Sequence, residues 1–119
     1  MKYKKFENTI IARIDKGEDI VEQVKNIALK ENIKLASIQA LGAINDFTVG
    51  VFKTKEKKYY ANEFKGDYEI VSLTGTINTM NGEYYSHMHL SLSNDSLTHF
   101  KICSLEKSYL FPGTIPHFV

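Results

Sequence analysis

Gly66-Asp67-Tyr68-Glu69-Ile70-Val71-Ser72-Leu73-Thr74-Gly75-Thr76, then Asn81-Gly82, then Tyr85-Ser86-His87-Met88-His89-Leu90-Ser91-Leu92 is the stretch whose reading decides the fold. It reads as two strands joined by a tight turn. Asn-Gly is the strongest short hairpin signal, because both residues accept the positive φ that a type I′ turn demands. Side chains alternate between the faces of a strand, so His87 and His89 point the same way, roughly 7 Å apart along it. Met88 and Leu90 take the opposite face. Two imidazoles so placed can share one metal ion.

Working outward, residues 3 to 14 alternate loosely through Phe6, Ile10, Ile11 and Ile14, as one strand or a bent pair. Asp15-Lys16-Gly17 breaks that pattern. The spacing of Ile20, Val21, Val24, Ile27 and Ala28 then predicts a helix over residues 18 to 31, with one apolar face. Glu18 and Asp19 fall in its first turn, where the helix dipole favours negative charge. Asn32-Ile33 ends it. Residues 35 to 44 follow as a mostly apolar strand, whose Ala36, Ala40, Gly42 and Ala43 suit close backbone approach. Asn45-Asp46 reads as a turn, Phe47 to Phe52 as a further strand, and residues 53 to 58 as a charged hairpin tip. Residues 58 to 64 form the next strand. Short strands, turn signals and one early helix indicate an α+β domain on an antiparallel sheet.

The 119 residues suit one domain spanning 1–119, and no apolar run approaches the ~20 residues of a membrane helix. The first residues are basic with no apolar segment behind them, unlike a signal peptide. One cysteine, Cys103, forms no internal disulfide, which fits a cytoplasmic setting. The 15 basic and 14 acidic residues nearly cancel, which gives no support to a dedicated nucleic-acid domain. Arg13 is the only arginine, and arginine makes the commonest specific contact to guanine.

Three pieces in order resemble the plant and prokaryote conserved (PPC) domain. They are Arg13 followed by Gly17-Glu18-Asp19, the segment from Gly66 to Gly75 (similar to Gly-Arg-Phe-Glu-Ile-Leu-Ser-Leu-x-Gly), and the His87-Met88-His89 strand. The resemblance covers about residues 8 to 100. It implies a curled, barrel-like antiparallel sheet with one helix packed across it, assembled as a homotrimer. It also implies a three-histidine metal site, whose third ligand comes from a Gly-Gly-His segment. Here Lys101-Ile102-Cys103 stands in that place, and residues 101–119 form a divergent tail. An abrupt loss of similarity is what a reading-frame shift produces, so an altered end is the expectation. Pro112-Gly113 and Pro116 make residues 111 to 119 a poor central strand.

The metal candidates are therefore His87 and His89, with His99 as the substitute third ligand and zinc as the ion; His117 reads as incidental. Glu69 shares its expected face with Val71 and Leu73, where a carboxylate is expensive to bury unless paired. Its structural partner would be Arg13; its functional reading is a carboxylate beside the histidines or a partner contact. Ser86 and Ser91 lie near histidines, but no third group completes a hydrolase triad. The resemblance implies a DNA-binding or gene-regulatory module, although the chain carries no AT-hook. The alternative is a small zinc-dependent enzyme or ligand sensor, similar in layout to acetolactate decarboxylase. A scaffold that binds a protein partner through residues 66–72 is the third reading.

Overall fold

A computed structural model describes residues 1–53, 55–96, 99–102, 105–110 and 115–118. For residues 49–53, 59, 61, 99–102, 105–110 and 115–118 it describes the backbone alone. Strands β1 (Lys2–Phe6) and β2 (Thr9–Arg13) form a hairpin, so the first apolar segment is a pair rather than one strand. The helix α1 (Ile20–Lys30) starts two residues later than the charge pattern suggests. Asp19 is its N-cap, and the Asp19 carboxylate accepts from the Glu22 amide at 3.0 Å, satisfying one of the free N–H groups of the first turn. Glu18 stays outside and accepts instead from the Met1 amine and the Asp15 amide. At the far end Asn32 adopts φ 54°, and the Ile33 amide donates to the Ala28 carbonyl at 2.8 Å.

Two very long strands follow, β3 (Ala36–Lys53) and β4 (Lys58–Met80), with β5 (Glu83–Ser93) after the second turn. The expected turn at Asn45-Asp46 is a shift of register within β3, and the expected break before Gly66 is likewise internal to β4. Lys53 pairs with Lys58, so the charged segment is a hairpin tip. The short strands β6 (His99–Ile102), β7 (Leu105–Leu110) and β8 (Ile115–Phe118) complete the sheet. Its order is β1-β2-β8-β3-β4-β5-β6, with β7 pairing β3 off this path, and every pairing is antiparallel.

The α+β class is as expected. The barrel-like curl is not: closure requires an unbroken ring of hydrogen-bonded strands, and among the described residues no ladder joins β6 to β7 or to β1. The molecule measures 39 × 37 × 19 Å, the thinness of a sheet with one covering layer. The tail is a second correction. β8 is a central strand between β2 and β3, despite Pro116. Pro116 stands opposite Ala40 of β3, but the β2 ladder involves only His117 and Phe118. The missing N–H of Pro116 therefore removes no bond on the β2 side.

One sheet face and α1 enclose the core. Ile20, Val24, Ile27 and Ala28 of the helix are buried with Ile38, Ala40, Ile44, Phe47, Ile70, Leu73, Ile77, Met88, Leu90 and Leu92 of the strands. Each fully buried Leu, Ile or Met contributes roughly 1.5–3 kcal/mol of transfer free energy. Phe47 anchors the end away from the turn, stacked on Phe64 at 5.3 Å and edge-on to Tyr68 at 5.1 Å between centroids.

Two irregularities in β4 set which residues face the core. Asn45 stands opposite both Gly66 and Asp67, and Leu41 opposite both Val71 and Ser72. Gly66 accommodates the first with φ +140°, a conformation that a side chain resists. The second makes Val71 an extra residue against β5 as well. Ile70 and Leu73, three apart, are consequently both buried, while Val71 is 45% exposed.

Candidate functional site

The hairpin that carries the histidines closes as its sequence dictates. Asn81 has φ 55° and Gly82 φ 80°, the two positive values of a type I′ turn. From there β4 and β5 pair without interruption to Ser72 and Ser91. Alternation along β5 buries Met88, Leu90 and Leu92 and exposes His87 and His89 on the face away from α1. The rings face the same way, with centroids 4.7 Å apart and planes at 68°. Their Nε2 atoms lie 2.7 Å apart, a hydrogen bond in which one ring donates and the other accepts.

Gly75 fixes the strand spacing beneath this pair. A methyl group on its α-carbon would stand 2.7 Å from the His87 carbonyl oxygen and 2.8 Å from the Met88 Cγ. No larger residue lets the two strands approach so closely. Gly75 therefore marks a close approach of two backbones and not a bulge, since the pairing of β4 with β5 runs through it without a shift of register.

Register supplies neighbours that sequence alone did not reveal. His87 stands opposite Thr76 and then Ser37; His89 stands opposite Thr74 and then Gln39. All four are exposed, so the pair belongs to a polar sheet face. A groove of about 340 Å³ adjoins it, lined by Gln39, Ala40, Leu41, Val71, Ser72, Leu73 and Thr74. The signal for these neighbours is the cross-strand register, and register depends on turn closure and bulges together.

The other candidates are dispersed. Glu69 is exposed, not packed beside Leu73, because the Val71 bulge resets the alternation. Arg13 pairs with Asp15, Nε to Oδ1 at 3.2 Å, rather than with Glu69. β8 and β3 separate their strands, so roughly 14 Å of sheet lies between them. His99 pairs with Ser93, four residues along β5 from His89, a step of roughly 13 Å. His117, read as incidental, stands opposite Gln39 and so enters the same cross-strand row as His89. Cys103 lies outside the described residues.

As a metal centre the arrangement is half complete. Two imidazole nitrogens bound to one tetrahedral zinc at 2.0–2.1 Å stand about 3.3 Å apart, so the observed 2.7 Å opens to that value by a small ring rotation. Among the described residues no group of three His, Cys, Asp or Glu side chains converges. The donors present fit a zinc ion as a pair and do not form the three-ligand set.

The sequence matches the family model of the Plants and Prokaryotes Conserved (PCC) domain over residues 1–110. The chain belongs to the PCC family. The match extends ten residues beyond the point where the motif resemblance ends, so β6 and β7 fall within the PCC domain. No curated protein sequence matches the chain. Among solved PCC-like structures, a "putative DNA-binding protein" from Bacteroides thetaiotaomicron is 29% identical, with a TM-score of 0.91, covering 99% of this chain and 81% of its own. A plant- and prokaryote-conserved protein from Pyrococcus horikoshii is 28% identical, with a TM-score of 0.85 and coverage of 98% and 78%. A metal-containing protein from Archaeoglobus fulgidus is 27% identical, with a TM-score of 0.82 and coverage of 99% and 83%.

Proposed function

We propose that the chain is a DNA-associated, gene-regulatory PCC module that works in the cytoplasm as a homotrimer. The likeness to the Bacteroides protein, close in fold over nearly the whole chain and named for DNA binding, carries this reading. Charge composition sets its character. The basic residues are almost all lysines, three of them (Lys2, Lys4 and Lys5) on the edge strand β1, so contact is with phosphates rather than base edges. Lys5 is partly engaged by Glu31 at 3.7 Å. Binding is therefore weak, insensitive to sequence and steeply reduced by salt, as counterion release requires. Fluorescence anisotropy with a duplex at low ionic strength, repeated at rising salt, tests it. No binding at the lowest salt removes the reading. A mass determination in solution tests the trimer. In this proposal residues 66–72, where Asp67, Glu69 and Val71 are exposed, would serve as the contact for a protein partner.

A second reading is favoured by the convergence of the His87 and His89 Nε2 atoms, and supported by the metal-containing Archaeoglobus neighbour. In it the pair holds zinc, with His99 or another donor completing the set, and the protein is a small enzyme or ligand sensor. A bound zinc ion would polarise a carbonyl oxygen of a ligand. Elemental analysis of untagged protein decides it: stoichiometric zinc that is lost in His89→Ala supports this reading, and zinc-free protein sinks it.

A further inference from the structure

Among the described residues the sheet leaves one long edge open. Opposite β3, residues 58 to 65 of β4 pair one to one, up to the irregularity at Gly66. On the other side of β4, β5 begins only at Glu69, and among the described residues no strand pairs with β4 before it. An uncovered row of backbone N–H and C=O groups is a template for another strand. Lys65 and the bulge after it are the usual devices that guard such an edge. They do not cover its apolar side chains, however: Tyr60 is 41% and Phe64 39% exposed. Phe64 continues the core layer through its stack on the buried Phe47, and it ends there in solvent.

The sequence along this edge, Asn62-Glu63-Phe64-Lys65-Gly66, is complementary to itself when reversed. Placed antiparallel against its own copy with Phe64 opposite Phe64, it sets Glu63 opposite Lys65 twice and Asn62 opposite Gly66 twice. Directly opposed aromatic and opposite-charge pairs are the favourable units of a sheet. Moving the centre to Asn62 sets Glu63 against Ala61 and Lys65 against Tyr59, which leaves both charges without a directly opposed partner. Moving it by one residue, to Glu63, sets Glu63 opposite its own copy, a like-charge pair. Sliding the register by one residue sets Phe64 opposite Glu63 or Lys65, which puts apolar and charged side chains on one face.

We infer that residues 62–66 of β4 are a self-association edge, joining two copies of this chain across a two-fold axis through Phe64. The contact is isologous, each copy offering the same segment. It does not depend on the DNA reading or on the three-fold assembly. Alone it gives a dimer, and added to a trimer it gives a hexamer.

Sedimentation equilibrium of the full chain, of Glu63→Lys, of Lys65→Glu and of an equimolar mixture of the two variants tests it. Each single reversal turns two attractive pairs into two repulsive ones. Self-association is then expected to weaken on the order of tenfold, while thermal melting confirms that each variant is folded. The mixture restores both opposite-charge pairs and recovers the parent affinity. A species of odd stoichiometry with no two-fold form, single variants that associate like the parent, or a mixture that fails to recover overturns the inference.

Discussion

Replacing Gly75 by alanine is expected to destabilise the protein although it adds a single methyl group. The backbone at Gly75 is not left-handed, so alanine is conformationally allowed and the effect comes from space alone. The new Cβ would sit 2.7 Å from the His87 carbonyl oxygen, 2.8 Å from the Met88 Cγ and 3.2 Å from the Met88 Cα. Met88 is 2% exposed within the core and has little room to swing aside. The carbonyl belongs to the β5 backbone and can retreat only if the strands part. Overpacking of this kind costs about 1–3 kcal/mol. Alanine returns roughly 0.4–1 kcal/mol by restricting the unfolded chain. The net loss is about 1–2 kcal/mol, a fall in Tm of roughly 4–8 °C for a domain of this size. Thermal unfolding followed by circular dichroism measures it. A Tm equal to or above that of the parent would refute the close approach of β4 and β5 beside His87.

Asp19→Ala removes the N-cap of α1 and is expected to lower stability by about 1 kcal/mol, read as a lower urea midpoint. The cluster at the amino terminus gives a pH dependence with two limits. The Met1 amine donates to Asp15 and Glu18, each at 2.8 Å. The hydrogen bond to Asp15, then that to Glu18, raises the amine above its usual 8.0. The same amine holds the Asp15 carboxyl below 3.8. A lowered carboxyl contributes stability above its unfolded value and loses it as pH falls through the folded one; a raised amine contributes below its unfolded value and loses it as pH rises. Tm is therefore expected to be level across the neutral range and to decline above pH 8 and again below pH 4. Asp15→Asn and Glu18→Gln together should flatten the alkaline decline, and an unchanged slope there would contradict the cluster.

Much of the site was legible from local rules. Asn81-Gly82 announced the hairpin, and alternation placed His87 and His89 together, because a two-residue turn leaves the next strand no freedom of register. The helix was equally plain from five apolar positions; only its start was misplaced, since Asp19 and Glu18 both carry charge and only Asp19 caps the first turn. Glu69 was misread because a bulge is a two-strand property. Nothing in Glu69-Ile70-Val71-Ser72 tells that Leu41 will oppose two residues. Pro116 misled for a related reason, since its effect depends on which side of β8 still carries a ladder.

What the sequence determined by itself is every feature fixed over a few bonds: the type I′ turn, the facing of the two imidazoles and the apolar stripe of α1. What only the tertiary structure decided is which strands meet. The row Gln39, Thr74 and His89, the pairing of Arg13 with Asp15, the central place of β8 and the open edge of β4 all join residues distant in the chain. Such contacts depend on total burial and on hydrogen bonds summed over the sheet, a balance that no local window of residues contains.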